Sequence, residues 1–131
     1  MKFVDSSFWI GLHNPRDAHF RKALSIWIDD RDDLVTTNHV VGETWTFPRR
    51  RMGHAIACRF VDLTVSSTRL RVVHVSEATE QEAWAWLRRH DERVYSFVDA
   101  TSFATMRTLG IFEAFAFDDD FSAAGFVEVR P

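Results

Sequence analysis

Short apolar or β-branched segments recur along this chain at Lys2–Val4, Leu34–Thr37, Leu70–Val75, Phe112–Phe117 and Val127–Val129. The first four are separated by stretches long enough to hold helices. Strands joined in this way pair in parallel through right-handed crossovers, because a short turn cannot return the chain to a parallel neighbour. Between strands the apolar spacing is helical. From Ala18 to Ile28, apolar residues fall at 20, 23, 24, 27 and 28, one face of a helix. Residues 6–12 suit one or two helical turns, and Asn14-Pro15 ends them. A helix is expected from about Asn38, where the Asn side chain can cap it, with Pro48 disturbing its end. Further helices are expected over Gly53–Ser67, Ser76–His90 and Ser96–Leu109, the last closed by Gly110. Residues 118–125 read as a turn or a short helix. The expectation is one α/β domain over residues 1–131, with a central parallel sheet of four or five strands and helices on both faces.

The length suits a single domain, and 46% apolar residues are enough for a core. The net charge of −3 and the pI near 6 argue against a broadly basic nucleic-acid binder. They do not argue against a site that holds cations, which must itself be acidic. The basic residues are biased, with 14 Arg against only Lys2 and Lys22. Arg binds phosphate through a planar fork, although a GC-rich genome gives the same bias. Cys58 is the only cysteine, so no internal disulfide forms. That, a poor signal-peptide pattern at the N-terminus and the lack of a membrane-length apolar run lead us to expect a cytoplasmic protein.

In parallel α/β sheets, ligands collect outside the carboxyl ends of the strands. Acids occupy several such positions. Asp5 follows the first strand, Glu43 lies in the first turns of the helix after the second, and Asp118 follows the fourth, with Asp119 and Asp120 behind it. Asp99 sits at the start of a helix that follows a loop. Clustered carboxylates repel one another unless a cation lies between them, and hard oxygen donors favour Mg²⁺-type ions over zinc. Each acid also has a local explanation. Asp5 could cap a helix, Glu43 could face solvent, Ser96-Phe97-Val98-Asp99 has capping-box character, and 118–120 could be a solvated turn.

Four blocks, Met1–Trp9 (MKFVDSSFW), Leu34–Thr46 (LVTTNHVVGETWT), Ser96–Thr105 (SFVDATSFAT) and Ala114–Phe126 (AFAFDDDFSAAGF), resemble in order the motif blocks of PIN-domain proteins. The likeness is greatest to the VapC toxins of type II toxin–antitoxin modules. This resemblance implies an endoribonuclease using Mg²⁺ or Mn²⁺ held by Asp5, Glu43, Asp99 and Asp118. Glu43 would act as a ligand or as the group orienting the attacking water. Asp120 stands where the family often has another Asp or a His. Ser6, Thr36, Asn38 and Ser96 match polar positions around the acids and are candidates to orient them. The resemblance also implies a homodimer and a cognate antitoxin partner, alongside the RNA substrate.

Pro48 is followed by Arg49, Arg50 and Arg51, candidate contacts to RNA phosphates; a solvated loop or a contact with an acidic partner is the simpler explanation. Trp84 and Trp86 cannot share a helix face, so one of them is expected at the surface, where it could serve a dimer or antitoxin interface. Three other assignments compete. One is a PIN nuclease outside toxin–antitoxin systems, acting in RNA processing or on DNA flaps; the short length without a helical arch insertion disfavours the flap role. A second is a PIN fold that only binds a partner, disfavoured because all four acids are present. The third is a Mg²⁺-binding phosphoacceptor receiver domain, which would normally carry a Lys after its last strand; no Lys occurs after residue 22.

Overall fold

The computed structural model describes all 131 residues. The elements are β1 (Lys2–Val4), α1 (Ser6–His13), α2 (Phe20–Asp29), β2 (Leu34–Thr37), α3 (Asn38–Arg51), α4 (His54–Ser66) and β3 (Leu70–Val73). They continue with α5 (Glu77–Arg89), α6 (Phe97–Leu109), β4 (Glu113–Phe115), α7 (Asp120–Ala123) and β5 (Val127–Glu128). The five strands form one sheet in the order β3-β2-β1-β4-β5, parallel throughout. The α/β architecture expected from the sequence is therefore the one observed, with all five strands in the sheet.

The order matters for function. From β1 the chain winds outward to β2 and β3, then returns past β1 to add β4 and β5 on its other side. The reversal leaves a crevice between the carboxyl ends of β1 and β4, the topological switch point at which such sheets bind ligands. Phe3 pairs with Ala114 and Val4 with Phe115, so the two strands end level with each other. The Asp5 N–H donates to the Phe115 carbonyl at 3.0 Å, extending the pairing one residue into the crevice.

Both faces of the sheet are covered. Phe3 and Val4 point to opposite sides, and both are fully buried. On one side Phe3 packs against Phe121, which meets Phe103 edge-on at 4.9 Å. On the other, Phe115 lies 4.8 Å from Phe8, and Trp9 packs against Phe8, Trp27 and Phe60. Helices α1, α6 and α7 thus anchor aromatic rings directly under the crevice. These bulky rings, with two torsions each, hold the strand ends in place at low entropic cost.

Some boundaries differ from the expectation. Thr37, not Asn38, caps α3: its hydroxyl accepts from the Val40 N–H at 3.1 Å. Pro48 does not end that helix, which runs on to Arg51 without the bond that the missing N–H would have made. Gly53, at φ +93°, then allows the tight passage into α4. Strand β4 is half its expected length, and α2 starts at Phe20. Gly110 closes α6 in the left-handed conformation, as its position suggests.

Thr36 is fully buried, and its hydroxyl donates to the Val4 carbonyl at 2.8 Å. This ties β2 to the last residue of β1, immediately before Asp5. Thr36→Val keeps the shape but removes the donor. We expect a loss of about 1–2 kcal/mol and a Tm lower by roughly 3–8 °C, measured by calorimetry. An unchanged Tm would show that this bond does not hold the end of β1.

Candidate metal centre

Asp5 is the N-cap of α1. Its Oδ2 accepts from the Ser7 N–H at 3.1 Å and from the Ser7 hydroxyl at 2.7 Å. The Ser7 oxygen in turn accepts from the Phe117 N–H at 3.0 Å, so one hydroxyl couples α1 to the chain leaving β4. Asp99 stands at the third position of α6 in a reciprocal capping box. The Ser96 hydroxyl accepts from the Asp99 N–H at 2.9 Å, and Asp99 Oδ2 accepts from the Ser96 N–H at 3.0 Å. Asp118 follows the β4 exit and accepts from the Asp120 N–H at 3.2 Å.

These three side chains converge. One carboxylate oxygen from each of Asp5, Asp99 and Asp118 lies within 4.8 Å of the other two. Helix caps engage one oxygen of Asp5 and one of Asp99. The other Asp5 oxygen, Oδ1, is buried and has no hydrogen-bond partner. Such an orphan costs a few kcal/mol unless something satisfies it. An all-oxygen donor set around an unsatisfied buried carboxylate oxygen fits a hard divalent cation.

The electrostatics agree. Burial, and then the charge of Asp118, push the Asp5 carboxyl well above the usual range, against the pull of Ser7. Burial raises Asp99 to about 6; the Ser96 N–H opposes this, and the charges of Asp118 and Asp120 reinforce it. Asp118 is raised by burial and by the charges of Asp120 and Glu128. Each of the three carboxyls is thus harder to ionise here than in water, and a cation held among them would oppose that shift.

Not every candidate from the sequence joins this cluster. Glu43 is exposed on α3 and stands outside the 4.8 Å triangle; it lines a surface concavity with Thr46, Phe47, Arg50 and Arg51. Asp120 is engaged elsewhere, its Oδ1 accepting from Arg93 Nε and lying 2.9 Å from Arg93 Nη2. The hydroxyl that orients Asp5 belongs to Ser7 rather than Ser6, because position i+2 faces back toward an N-cap side chain. Asn38 does not orient an acid either: its amide oxygen accepts from the Val75 N–H at 2.8 Å and ties α3 to the end of β3. Thr36 acts on the β1 backbone, and Ser96 does hold Asp99. Of the arginine run, Arg50 and Arg51 line the concavity and Arg49 does not.

The sequence reading did not single out Ser7, Arg93 or Glu128. Glu128 is buried on β5, and its carboxylate accepts from the Asp119 N–H at 3.3 Å, the Ser122 N–H at 2.9 Å and Arg130 at 3.3 Å. It thereby pins the turn behind Asp118, where Asp119 adopts φ +66°. Only the Ser7 role has a local signal, the N-cap spacing. The partners of Arg93 and Glu128 depend on tertiary structure.

The sequence matches the PIN domain family over residues 2–127. It is 56% identical over 131 residues to the 23S rRNA-specific endonuclease VapC20 of Mycobacterium tuberculosis strain H37Rv, covering all of this chain and 99% of that one. The crystal structure of M. tuberculosis VapC20, described as a sarcin–ricin loop cleaving toxin, superposes with a TM-score of 0.96 at 55% identity, each chain covered in full. FitAcB from Neisseria gonorrhoeae shares the fold, with a TM-score of 0.69 at 14% identity over 98% of this chain and 96% of that one.

The raised carboxyls set a pH dependence. A carboxyl whose pKa is higher in the folded than in the unfolded chain favours folding at low pH. That contribution is lost as pH rises through the folded value. For Asp99, moved from 3.8 to about 6, the loss between pH 4 and 7 is on the order of 3 kcal/mol. Asp99→Asn keeps the acceptor for Ser96 and removes the charge. In EDTA, its Tm advantage over the parent should grow from pH 4 to pH 7.5 by several degrees. Added Mg²⁺ or Mn²⁺ should stabilise the parent and not the variant. Parallel Tm curves for the two proteins would refute the electrostatic account.

Proposed function

This chain belongs to the PIN domain family, and from that premise we propose that it is a divalent-metal-dependent endoribonuclease, the toxin of a type II toxin–antitoxin module, that cuts the sarcin–ricin loop of 23S rRNA. The observation that carries the reading is the convergence of Asp5, Asp99 and Asp118 at the β1–β4 crevice, with Asp5 Oδ1 buried and unpaired. The substrate rests on identity of more than half, end to end, with an rRNA-specific endonuclease.

The chemistry follows from the residues. Asp5, Asp99 and Asp118 would hold Mg²⁺ or Mn²⁺, which supplies positive charge for the phosphodiester and lowers the pKa of water in its shell. Ser7 and Ser96 fix the rotamers of Asp5 and Asp99 through the caps, so each presents its remaining oxygen to the crevice. Glu43, on the exposed face of α3, would orient the water that attacks phosphorus by accepting a hydrogen bond from it. Arg93 occupies Asp120, reducing the negative charge that an incoming phosphate meets at the rim. Nothing in this scheme needs a nucleophilic Ser, Cys or His.

Within the same reading the physiological inhibitor is a cognate antitoxin protein, and the active assembly is a homodimer. Trp84 is 53% exposed and stacked on Phe97, an apolar surface open to either contact. No helix is long and apolar enough to cross a membrane.

Purified protein incubated with ribosomes and Mg²⁺ or Mn²⁺ should produce one cut in the sarcin–ricin loop, mapped by primer extension. EDTA should abolish the cut. Asp5→Asn should fall below about a thousandth of the parent rate, a loss of at least about 4 kcal/mol in transition-state stabilisation, with the fold intact by circular dichroism. Glu43→Gln should fall less steeply while retaining metal-induced stabilisation. Full activity in Asp5→Asn would overturn the site assignment, and cleavage elsewhere in the rRNA would overturn the substrate.

A further inference from the structure

Building on the nuclease reading, we infer that a groove running from Glu43 along α3 to the α1–α2 loop is the track for the RNA backbone flanking the scissile bond. Two adjoining concavities make it. The first is lined by Glu43, Thr46, Phe47, Arg50 and Arg51. The second shares Phe47 and Arg51 and continues to Arg16, in the loop after α1.

The arrangement follows from helical spacing. Glu43, Phe47, Arg50 and Arg51 fall at i, i+4, i+7 and i+8, one face of α3. That face begins at an acid assigned to the catalytic water and ends in two guanidinium groups. Arg49, six positions from Glu43, projects from a different face and lines neither concavity. Basic residues in a last helical turn are ordinary, because they offset the helix dipole. That explanation does not extend to Arg16, which comes from another element and is exposed. The groove therefore gathers three cations and one acid in a chain whose net charge is −3.

The chemistry of the lining selects the occupant. All three cations are Arg, whose fork matches phosphate oxygens in a bidentate way that Lys does not. Phe47 lines both concavities, with the Arg51 guanidinium 5.3 Å from its ring centroid. An aromatic ring beside a guanidinium group suits an unpaired base stacked near its own phosphate, the usual way a protein holds single-stranded or looped RNA. An acidic peptide would satisfy the arginines as well, but it leaves Phe47 and the continuity with Glu43 without a role.

The test measures binding apart from cleavage. Protein carrying Asp5→Asn is titrated, in Mg²⁺, against a fluorescein-labelled RNA stem-loop of sarcin–ricin sequence over a range of salt concentrations. Arg16→Ala, Arg50→Ala and Arg51→Ala, each added to that background, should weaken binding several-fold and lower the log–log salt slope by about one. Arg49→Ala changes net charge equally and should leave the slope unchanged. Phe47→Leu should weaken binding with the slope intact. The inference is overturned if the groove variants keep the parent slope, or if Arg49→Ala lowers it as much. It is equally overturned if the groove variants lose antitoxin binding while RNA binding is unaffected, which would make the groove a protein-docking surface. Because the readout is binding, a failure of the nuclease reading would appear separately, as absent cleavage by the parent.

Discussion

Mutual repulsion among three carboxylates, placed where water cannot fully solvate them, is the constraint around which this structure is organised. A buried charge without a partner is normally eliminated, because its desolvation exceeds what neighbouring dipoles return. Here two buried acids, Asp5 and Asp99, are kept beside the more open Asp118 at the crevice between β1 and β4, and Asp5 Oδ1 has no donor. Burial and the neighbouring charges make the Asp5 and Asp99 carboxyls harder to ionise than in water, which lowers the cost of keeping them there. Affinity for the ion and instability of the metal-free site are then two aspects of the same repulsion, so binding should stabilise the fold.

The surrounding structure meets the strain with ordinary devices. Helix N-termini need acceptors for their free N–H groups, and the α1 and α6 caps use the aspartates themselves as those acceptors. Each cap occupies one carboxylate oxygen and fixes the rotamer, leaving the second oxygen directed into the crevice. The dipoles of α1 and α6 also bring positive potential to the acids they orient. Capping and the proposed metal ligation are thus compatible at Asp5 and Asp99, since the caps produce the geometry that ligation would require. Glu128 serves Asp118 at longer range, holding a turn in which Asp119 takes a left-handed conformation.

How far the sequence could be read follows from how local each interaction is. The alternation of short strands and helical stretches specifies parallel pairing almost by elimination, and the chemistry then belongs at strand ends, where Asp5 and Asp118 were found. The capping box at Ser96–Asp99 is visible in four consecutive residues. Glu43 was harder, since its distance from the other acids depends on how α3 leaves the sheet. The amide oxygen of Asn38 is taken by the Val75 N–H, 37 positions away, a pairing that no local pattern marks. Ser6 was preferred to Ser7 although the spacing of an N-cap favours the second residue after the acid. Arg93 and Glu128 had no signal, since each acquires its role only when β4, α7 and β5 fold together.

The charge distribution answers an objection raised by composition. An acidic protein should repel RNA, yet net charge acts only over distances that salt does not screen, about 8 Å at physiological ionic strength. Within that range an approaching phosphate responds to the groups in the groove and at the crevice rather than to the total. At the crevice the proposed cations would offset the acids, and Asp120 is covered by Arg93. The α3 face and Arg16 present guanidinium groups with a single carboxylate among them. A metal-loaded chain therefore offers the polyanion a locally positive path that its formal charge conceals.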